Sequence, residues 1–366
     1  MNIKKRIFLV AGARPNFMKI APIYNEMKKS QKLKPIIIHT GQHYDNNMSH
    51  IFFRELGLPK PHIDLGVGSG SHAVQTANIM VEFEKVCLKE KPSMALVVGD
   101  VNSTLACSVV AAKMLIPIAH IEAGLRSFDR TMPEEINRIV TDSLSDYLFT
   151  TCRDANRNLA KEGVKRNKIF FTGNVMIDSL GKFIAESEKR KTFRKFSLND
   201  RQYAFLTLHR PSNVDDKETL EKILKTIFKI SEKTKIIFPA HPRTKKQIEK
   251  YKLKKYLCGG NMEQVEPVGY LDALNLMKHS RFVLTDSGGI QEETTVLGVP
   301  CITMRENTER PITVHQGTST LVGNNSGKIV RAVNQILTGK YKKGKIPELW
   351  DGKSARRIVK IIESKL

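Results

Sequence analysis

Close cysteine pairs, histidine pairs on predicted helices and long apolar runs are all missing from this chain of 366 residues, and each absence removes a class of function. Its five cysteines, Cys87, Cys107, Cys152, Cys258 and Cys301, are scattered. With no two at ligand spacing they supply neither a zinc site nor a disulfide frame, and they point to a reducing, cytoplasmic setting. None of the ten histidines lies in a predicted helix, so none forms the helical pair that grips a metal, and no metal is expected. No uncharged apolar run is long enough to cross a bilayer, so no membrane attachment is expected. Lys4, Lys5 and Arg6 precede an apolar stretch, residues 7–11, that is too short for a signal peptide. The glycine–serine loop at residues 66–71 lacks the strand and helix of a dinucleotide fingerprint, which leaves no nicotinamide site and no other cofactor in view.

What is present is ordinary in bulk. Hydrophobic residues make up 40% and charged residues 27%, as in a soluble globular protein. The length exceeds the usual size of one core, so two domains are expected. Against 37 Asp and Glu stand 60 Lys and Arg, a formal charge of +23, with basic runs at residues 189–195, 245–255 and 340–345. Such a surplus attracts anions, whether nucleic acid, a membrane surface or a small substrate. No nucleic-acid-binding signature accompanies the runs, so they read as solvated surface and no nucleic-acid partner is expected.

Short apolar strands alternate with amphipathic helical stretches. Strands are predicted at residues 6–11, 35–40, 94–98, 118–121, 203–208, 235–239, 281–285 and 299–304, with helices at 19–29, 103–115 and 354–366. Strand, helix and strand in repetition mean crossover units and a parallel sheet. The pattern weakens over the polar, basic residues 182–201 and then resumes. The fold class is therefore α/β, with two Rossmann-like, doubly wound parallel-sheet domains facing across a cleft. The first domain is read as residues 1–178 joined by the terminal helix 354–366, the second as residues 179–353. In such sheets ligands bind beyond the carboxyl ends of the strands. Directly after the strands come Arg14 and Lys19, Gln42 and His43, Asp100, Glu122, His209 and Arg210, His241 and Arg243, and Asp286 to Gly289. Charged and titratable groups in that series, from both halves, point to an anionic small-molecule ligand.

The most informative segment is Thr285-Asp286-Ser287-Gly288-Gly289-Ile290-Gln291-Glu292-Glu293. It reads as strand, glycine turn and helix, and the backbone N–H groups of Ser287, Gly288 and Gly289 suit a diphosphate. Glu293, one turn into the helix, suits the hydroxyls of a ribose. The bland alternative is a joint whose glycines only make the turn. Asp100, Glu122 and Glu134 suit proton exchange on opposite faces of a sugar ring. Equally, Asp100 could cap the following helix, Glu134 or Glu135 could complement a helix dipole behind Pro133, and Glu122 could pair with Arg126. His209 suits neutralising a leaving diphosphate or a purely structural place. Arg310 suits bidentate contact with phosphate or a surface pair with Glu309.

Taken in order, Gly12-Ala13-Arg14-Pro15 with Lys19, Gly41-Gln42-His43, Gly99-Asp100 and His120-Ile121-Glu122-Ala123-Gly124-Leu125-Arg126 form one half of a pattern. Pro133-Glu134-Glu135 with Asn137-Arg138, His209-Arg210, the run Thr285 to Glu293 and Thr308-Glu309-Arg310-Pro311 form the rest. Over essentially the whole length this resembles the non-hydrolysing UDP-N-acetylglucosamine 2-epimerases. The resemblance implies the glycosyltransferase B architecture. It also implies inversion of C2 of UDP-N-acetylglucosamine by elimination of UDP to 2-acetamidoglucal and re-addition. It assigns acid–base work to Asp100, Glu122 and Glu134, and the departing diphosphate or the sugar to His209, Arg14 and Lys19. Ser287, Gly288, Gly289 and Arg310 take the diphosphate, Glu293 the ribose, and Val268 in Pro267-Val268-Gly269-Tyr270 the uracil. Gln42, His43, Arg138, Arg210 and His241 stand as candidates for a second site or the cleft. A nucleotide-sugar substrate and a homodimer are implied. Asp45 departs from the pattern, standing where bacterial relatives carry a glutamine that helps hold an activating second substrate molecule. Pro211-Ser212-Asn213 departs too, where they usually have Arg-Glu. A glycosyltransferase of the same fold, a hydrolysing epimerase releasing N-acetylmannosamine and a non-catalytic nucleotide-sugar sensor are the competing readings.

Overall fold

The computed structural model describes residues 4–41, 53 and 56–366, and Gln42, His43 and Asp45 lie outside them. The chain divides into two compact units, Met1–Ser179 with Glu348–Leu366, and Leu180–Pro347. The helix Val175–Arg190 carries the chain from one into the other. No helix among the described residues is long and apolar enough to cross a membrane.

The first unit is built on strands β1 (Lys5–Ala11), β2 (Leu33–His39), β3 (Ile63–Asp64), β4 (Met94–Val98), β5 (Ile118–Ala123), β6 (Tyr147–Thr150) and β7 (Ile169–Phe171). They pair in parallel in the order β3-β2-β1-β4-β5-β6-β7. A parallel sheet is covered on both faces, which is why β1 and β4 read as unbroken apolar runs rather than alternating ones. Phe8, Val10, Ile38, Phe83 and Val97 belong to one buried cluster, and the Phe83 ring meets Phe8 edge-on at 6.0 Å. Removing a phenyl ring from such a place costs about 3–5 kcal/mol.

The helix Arg14–Met27 starts earlier than predicted, because Pro15 fits the first turn, where its fixed φ is helical and its missing N–H is not needed. Pro22 inside the same helix leaves the Met18 carbonyl without its usual N–H donor. The hydroxyl of Ser179 donates to that carbonyl instead. Residues 66–71, read as lacking flanking elements, lie between β3 and the helix His72–Glu90. A two-residue edge strand is too short to show a period, and the helix is announced only by its cap, Ser71, whose hydroxyl accepts the Val74 N–H at 3.3 Å.

The second unit repeats the plan with β8 (Tyr203–Leu206), β9 (Lys235–Pro239), β10 (Met262–Val265), β11 (Phe282–Thr285), β12 (Cys301–Thr303) and β13 (Ser319–Leu321). Their order is β10-β9-β8-β11-β12-β13, again all parallel. Its core joins Phe238, Phe282 and Leu284 on strands to Leu220, Ile223 and Ile227 on the helix Lys217–Ser231 and to Ile329 and Val333 on the helix Ser326–Leu337. Both sheets reverse their order at the centre, between β1 and β4 and between β8 and β11. Those reversals open the crevices in which doubly wound folds bind ligands.

The chain ends within the first unit. Trp350 is buried and donates its indole N–H to the Thr151 carbonyl at 2.9 Å. Asp178 accepts the first N–H groups of the helix Ser354–Lys365, from Ser354 at 3.1 Å and Ala355 at 2.7 Å. Burial pushes the Asp178 carboxyl above its ordinary range, although these bonds oppose it. Gly173, at φ +84°, is required at this join, since a Cβ there would lie 2.1 Å from the Leu349 carbonyl oxygen.

Candidate active site

In the first unit the turn after β1 lies at the reversal point. A Cβ on Gly12 would fall 2.1 Å from Ser103 Oγ, so only glycine passes there. Asn16 ties this turn to β4, accepting the Ala13 N–H at 2.9 Å and donating to the Val98 carbonyl at 3.0 Å. One turn further along the helix, buried Lys19 is ion-paired with the carboxylate of Glu122. Gly99, after β4, closes the cluster, because a Cβ on it would meet Lys19 Nζ at 3.3 Å and Glu122 Oε2 at 3.6 Å. Glu122 has φ +70°, at the point where the β5–β6 register shifts between Ile121 and Ala123. A left-handed glutamate costs roughly 1–3 kcal/mol and is held only where its surroundings enforce it. A bulge breaks the two-residue alternation and re-aims a side chain. Here that side chain is the carboxylate meeting Lys19, so Glu122 is not the partner of Arg126.

Asp100 does not cap the next helix. The cap of Asn102–Lys113 is Val101, without a side-chain bond. Asp100 Oδ2 instead accepts from Arg138 Nη2 at 2.6 Å and Nε at 3.0 Å. Arg138 lies on the helix Pro133–Leu144 and also pairs with Glu135. The carboxylate of Glu135 accepts the N–H groups of Ser127 at 3.0 Å and Phe128 at 2.9 Å, anchoring the loop before the helix. Its neighbour Glu134 is exposed, as is Arg14.

His120 is fully buried between Asp142 Oδ1, 2.7 Å from Nδ1, and the Gly99 carbonyl, 2.9 Å from Nε2. Asp142 also accepts the Gly124 N–H at 3.0 Å and pairs with Arg126 at 2.7 Å. Burial raises the Asp142 carboxyl, but His120 and Arg126 outweigh it and hold it below the ordinary carboxylate range. One carboxylate thus grips the segment on both sides of Glu122, at His120 and at Gly124.

In the second unit the reversal point joins the loop after β8 to the turn after β11. Asp286 is fully buried, and its Oδ2 accepts the N–H groups of His209 at 2.9 Å and Arg210 at 2.8 Å. Its Oδ1 lies 2.9 Å from His209 Nδ1. Asn213 donates to Asp286 Oδ2 at 3.3 Å, and Arg210 Nε to the Asp286 carbonyl at 3.0 Å. Burial raises the Asp286 carboxyl, yet the bond and charge of His209 with the backbone donors bring it below its ordinary value. The His241 ring is 5.8 Å from that of His209. Its Nδ1 accepts the Arg243 N–H at 3.2 Å, capping the helix Pro242–Lys250. Burial, then the charges of His209 and Arg243, lower the His241 pKa, so this ring is neutral.

Ser287 caps the helix Gly288–Leu297, whose first residues are the two glycines. A Cβ on Gly288 would lie 2.6 Å from Glu309 Oε1 and 2.9 Å from Arg310 Nη1, whereas nothing lies within 4 Å of one on Gly289. Arg310 is not a surface residue paired with Glu309 alone. It is buried between Glu309 and Glu292, with Nε 2.8 Å from Glu292 Oε1, and Arg305 pairs with Glu309 at 2.9 Å. Glu293 is buried and accepts the Tyr270 hydroxyl at 2.8 Å. Its carboxyl is pushed up to about 7, first by burial and then by Glu292, against the Tyr270 bond. Val268 lies in the loop between β10 and the helix Tyr270–His279.

Sequence reasoning gave no role to His120, Asp142 and Asn213 and only a helix-dipole role to Glu135, yet these groups hold the candidates in place. His120 and Asp142 are 22 residues apart on a strand and a helix, and no local period links them. Only an unexplained histidine within an apolar strand marked the place.

The family described as UDP-N-acetylglucosamine 2-epimerase matches residues 25–363. The chain is 47% identical over 363 residues to the UDP-N-acetylglucosamine 2-epimerase of Methanocaldococcus jannaschii, covering 98% of both chains. It is 44% identical over 335 residues to the UDP-2,3-diacetamido-2,3-dideoxy-D-glucuronate 2-epimerase of Pseudomonas aeruginosa, covering 91% of this chain and 92% of that one. The crystal structure of the Methanocaldococcus jannaschii enzyme in complex with UDP-GlcNAc and UDP superposes with a TM-score of 0.89, covering 98% of this chain and 99% of that one at 47% identity.

Proposed function

The chain belongs to the UDP-N-acetylglucosamine 2-epimerase family, and from that membership we propose that it interconverts UDP-N-acetylglucosamine and UDP-N-acetylmannosamine as a non-hydrolysing isomerase. The observation that carries the chemistry is the pair of carboxylates at the reversal of the first sheet, Asp100 on Arg138 and Glu122 on Lys19. Carboxylates held in fixed positions are what a proton-exchanging site requires.

The C2 proton has no adjacent carbonyl to acidify it, so the C1–O bond breaks first and UDP leaves with the electron pair. The cation at C1 then makes the C2 proton removable, and its loss to a carboxylate forms the C1–C2 double bond of 2-acetamidoglucal. Protonation at C2 from the other face, with return of UDP to C1, completes the inversion without net consumption of water. Asp100, Glu122 and Glu134 are the acid–base set in this reading. His209, Arg14 and Lys19 stabilise the departing diphosphate or position the sugar. The backbone of Ser287, Gly288 and Gly289 and the side chain of Arg310 bind the diphosphate, Glu293 the ribose and Val268 the uracil. The open space over Gly289 and the enforced glycine at 288 support the phosphate assignment. All five cysteines are free, four of them buried, which supports a cytoplasmic enzyme. We take the working form to be a homodimer, testable by light scattering.

The test is to supply UDP-N-acetylglucosamine without an acceptor and identify the products by NMR. UDP-N-acetylmannosamine at equilibrium with substrate supports the reading. Free N-acetylmannosamine with UDP means a hydrolysing enzyme, and unchanged substrate means a transferase or a sensor. The 44% identity to a diacetamido-glucuronate epimerase favours one comparison, the same assay with that nucleotide sugar.

A further inference from the structure

At the reversal of the second sheet, His209 carries one nitrogen already committed. Its Nδ1 lies 2.9 Å from Asp286 Oδ1, and Asp286 is shut off from solvent. The same carboxylate accepts the backbone N–H groups of His209 and Arg210 and the amide of Asn213. Three hydrogen bonds to one oxygen of a buried carboxylate at a strand end, with the His209 ring 2.9 Å from the other oxygen, fix the position of the His209 backbone and keep its ring beside the carboxylate. The charges nearby are Arg210 on the same loop, Arg243 at the start of the next helix, and the neutral ring of His241, 5.8 Å from His209.

We propose that Asp286 is a positioning residue for catalysis. It holds the hydrogen of His209 on Nδ1 and so turns Nε2 toward the leaving diphosphate as the working nitrogen. The inference rests on the epimerase reading and deepens it. An ionised carboxylate can only accept, so the nitrogen facing it must carry hydrogen, and that choice of tautomer settles which nitrogen is left to act. The carboxyl of Asp286 is held below its ordinary value by His209 and the backbone donors despite burial, which keeps it an acceptor throughout the neutral range. It also stands as counter-charge to the imidazolium that a departing diphosphate demands. His241 differs in that its Nδ1 accepts the Arg243 N–H instead of facing a carboxylate.

The test compares the wild type with His209→Asn, Asp286→Asn and the double variant, measuring kcat and UDP dissociation constants. If Asp286 acts through His209, Asp286→Asn lowers kcat by about tenfold or more with less than about threefold change in UDP affinity, and the double variant is no slower than His209→Asn alone. Losses that multiply, or UDP affinity falling in step with kcat, overturn the proposal. A second measurement needs no variant of Asp286 to fold. The ring nitrogen spectrum of histidine-labelled wild type, with the His209 signals identified by their loss in His209→Asn, must show hydrogen on Nδ1. A neutral ring protonated only on Nε2 overturns it. An inactive wild type sinks the epimerase reading and this inference together, whereas an active wild type with multiplying losses sinks this inference alone.

Discussion

Replacing Glu293 by glutamine should make the protein more stable and its nucleotide binding worse. Glu293 sits in the helix behind the phosphate turn with its carboxyl raised from 4.5 to about 7, chiefly by burial. Below about pH 4.5 both the folded and the unfolded chain hold this proton, and the group has no effect on stability. Between about 4.5 and 7 the unfolded chain releases it while the folded protein keeps it, so rising pH favours unfolding. A rise of about 2.5 pH units at about 1.4 kcal/mol each gives about 3 kcal/mol of stability lost by pH 8. Glutamine cannot ionise, and its carbonyl still accepts the Tyr270 hydroxyl. Urea unfolding of wild type and Glu293→Gln at pH 5 and pH 8 isolates this group, because every other titration is common to both. The variant should gain on the wild type by about 2–3 kcal/mol between the two pH values while binding UDP at least about tenfold more weakly. A stability difference independent of pH would show that Glu293 is not a proton-holding carboxyl, and the reasoning from its burial would fail.

Other outcomes follow from the same geometry. Asp100→Asn and Glu122→Gln should each lower turnover by about a hundredfold or more while UDP still binds, as read by steady-state kinetics and calorimetry. Gly288→Ala should destabilise the fold by about 1–3 kcal/mol, because its methyl meets Glu309 and Arg310. Gly289→Ala should leave stability unchanged and weaken UDP binding, since its methyl enters open space. Asp142→Asn should cost about 3 kcal/mol in thermal or urea unfolding, leaving buried His120 without its carboxylate and Arg126 with Glu162 alone.

Most buried strands were legible, but the interior strand Tyr147–Thr150, buried from Leu148 on, was not predicted. Met94–Val98 and Lys235–Pro239 lie where the apolar runs put them, the first buried throughout and the second over its three middle residues. Ends at the ligand side were less legible. The run through Leu208 continues past the ladder, and the strand stops at Leu206 because Asp286 draws the following loop aside through the N–H groups of His209 and Arg210. The two-residue strand Ile63–Asp64 left no pattern at all. In the site, carboxylates after strands were visible as types at positions, but their partners were not. Glu122 lies 103 residues from Lys19, and nothing local separates that pairing from one with Arg126, four residues away. The left-handed backbone of Glu122 could not be read either, since glutamate has no preference for it and only the surrounding bonds impose it.

Hydrogen exchange at the inverted carbon addresses the central claim most directly. Wild-type protein incubated with UDP-N-acetylglucosamine in deuterium oxide should yield UDP-N-acetylmannosamine carrying deuterium at C2, and the label should appear in recovered substrate as the reaction reverses. Product formed with its original hydrogen at C2, or substrate that never gains label, would contradict a mechanism in which the carboxylates of this site remove and return that proton.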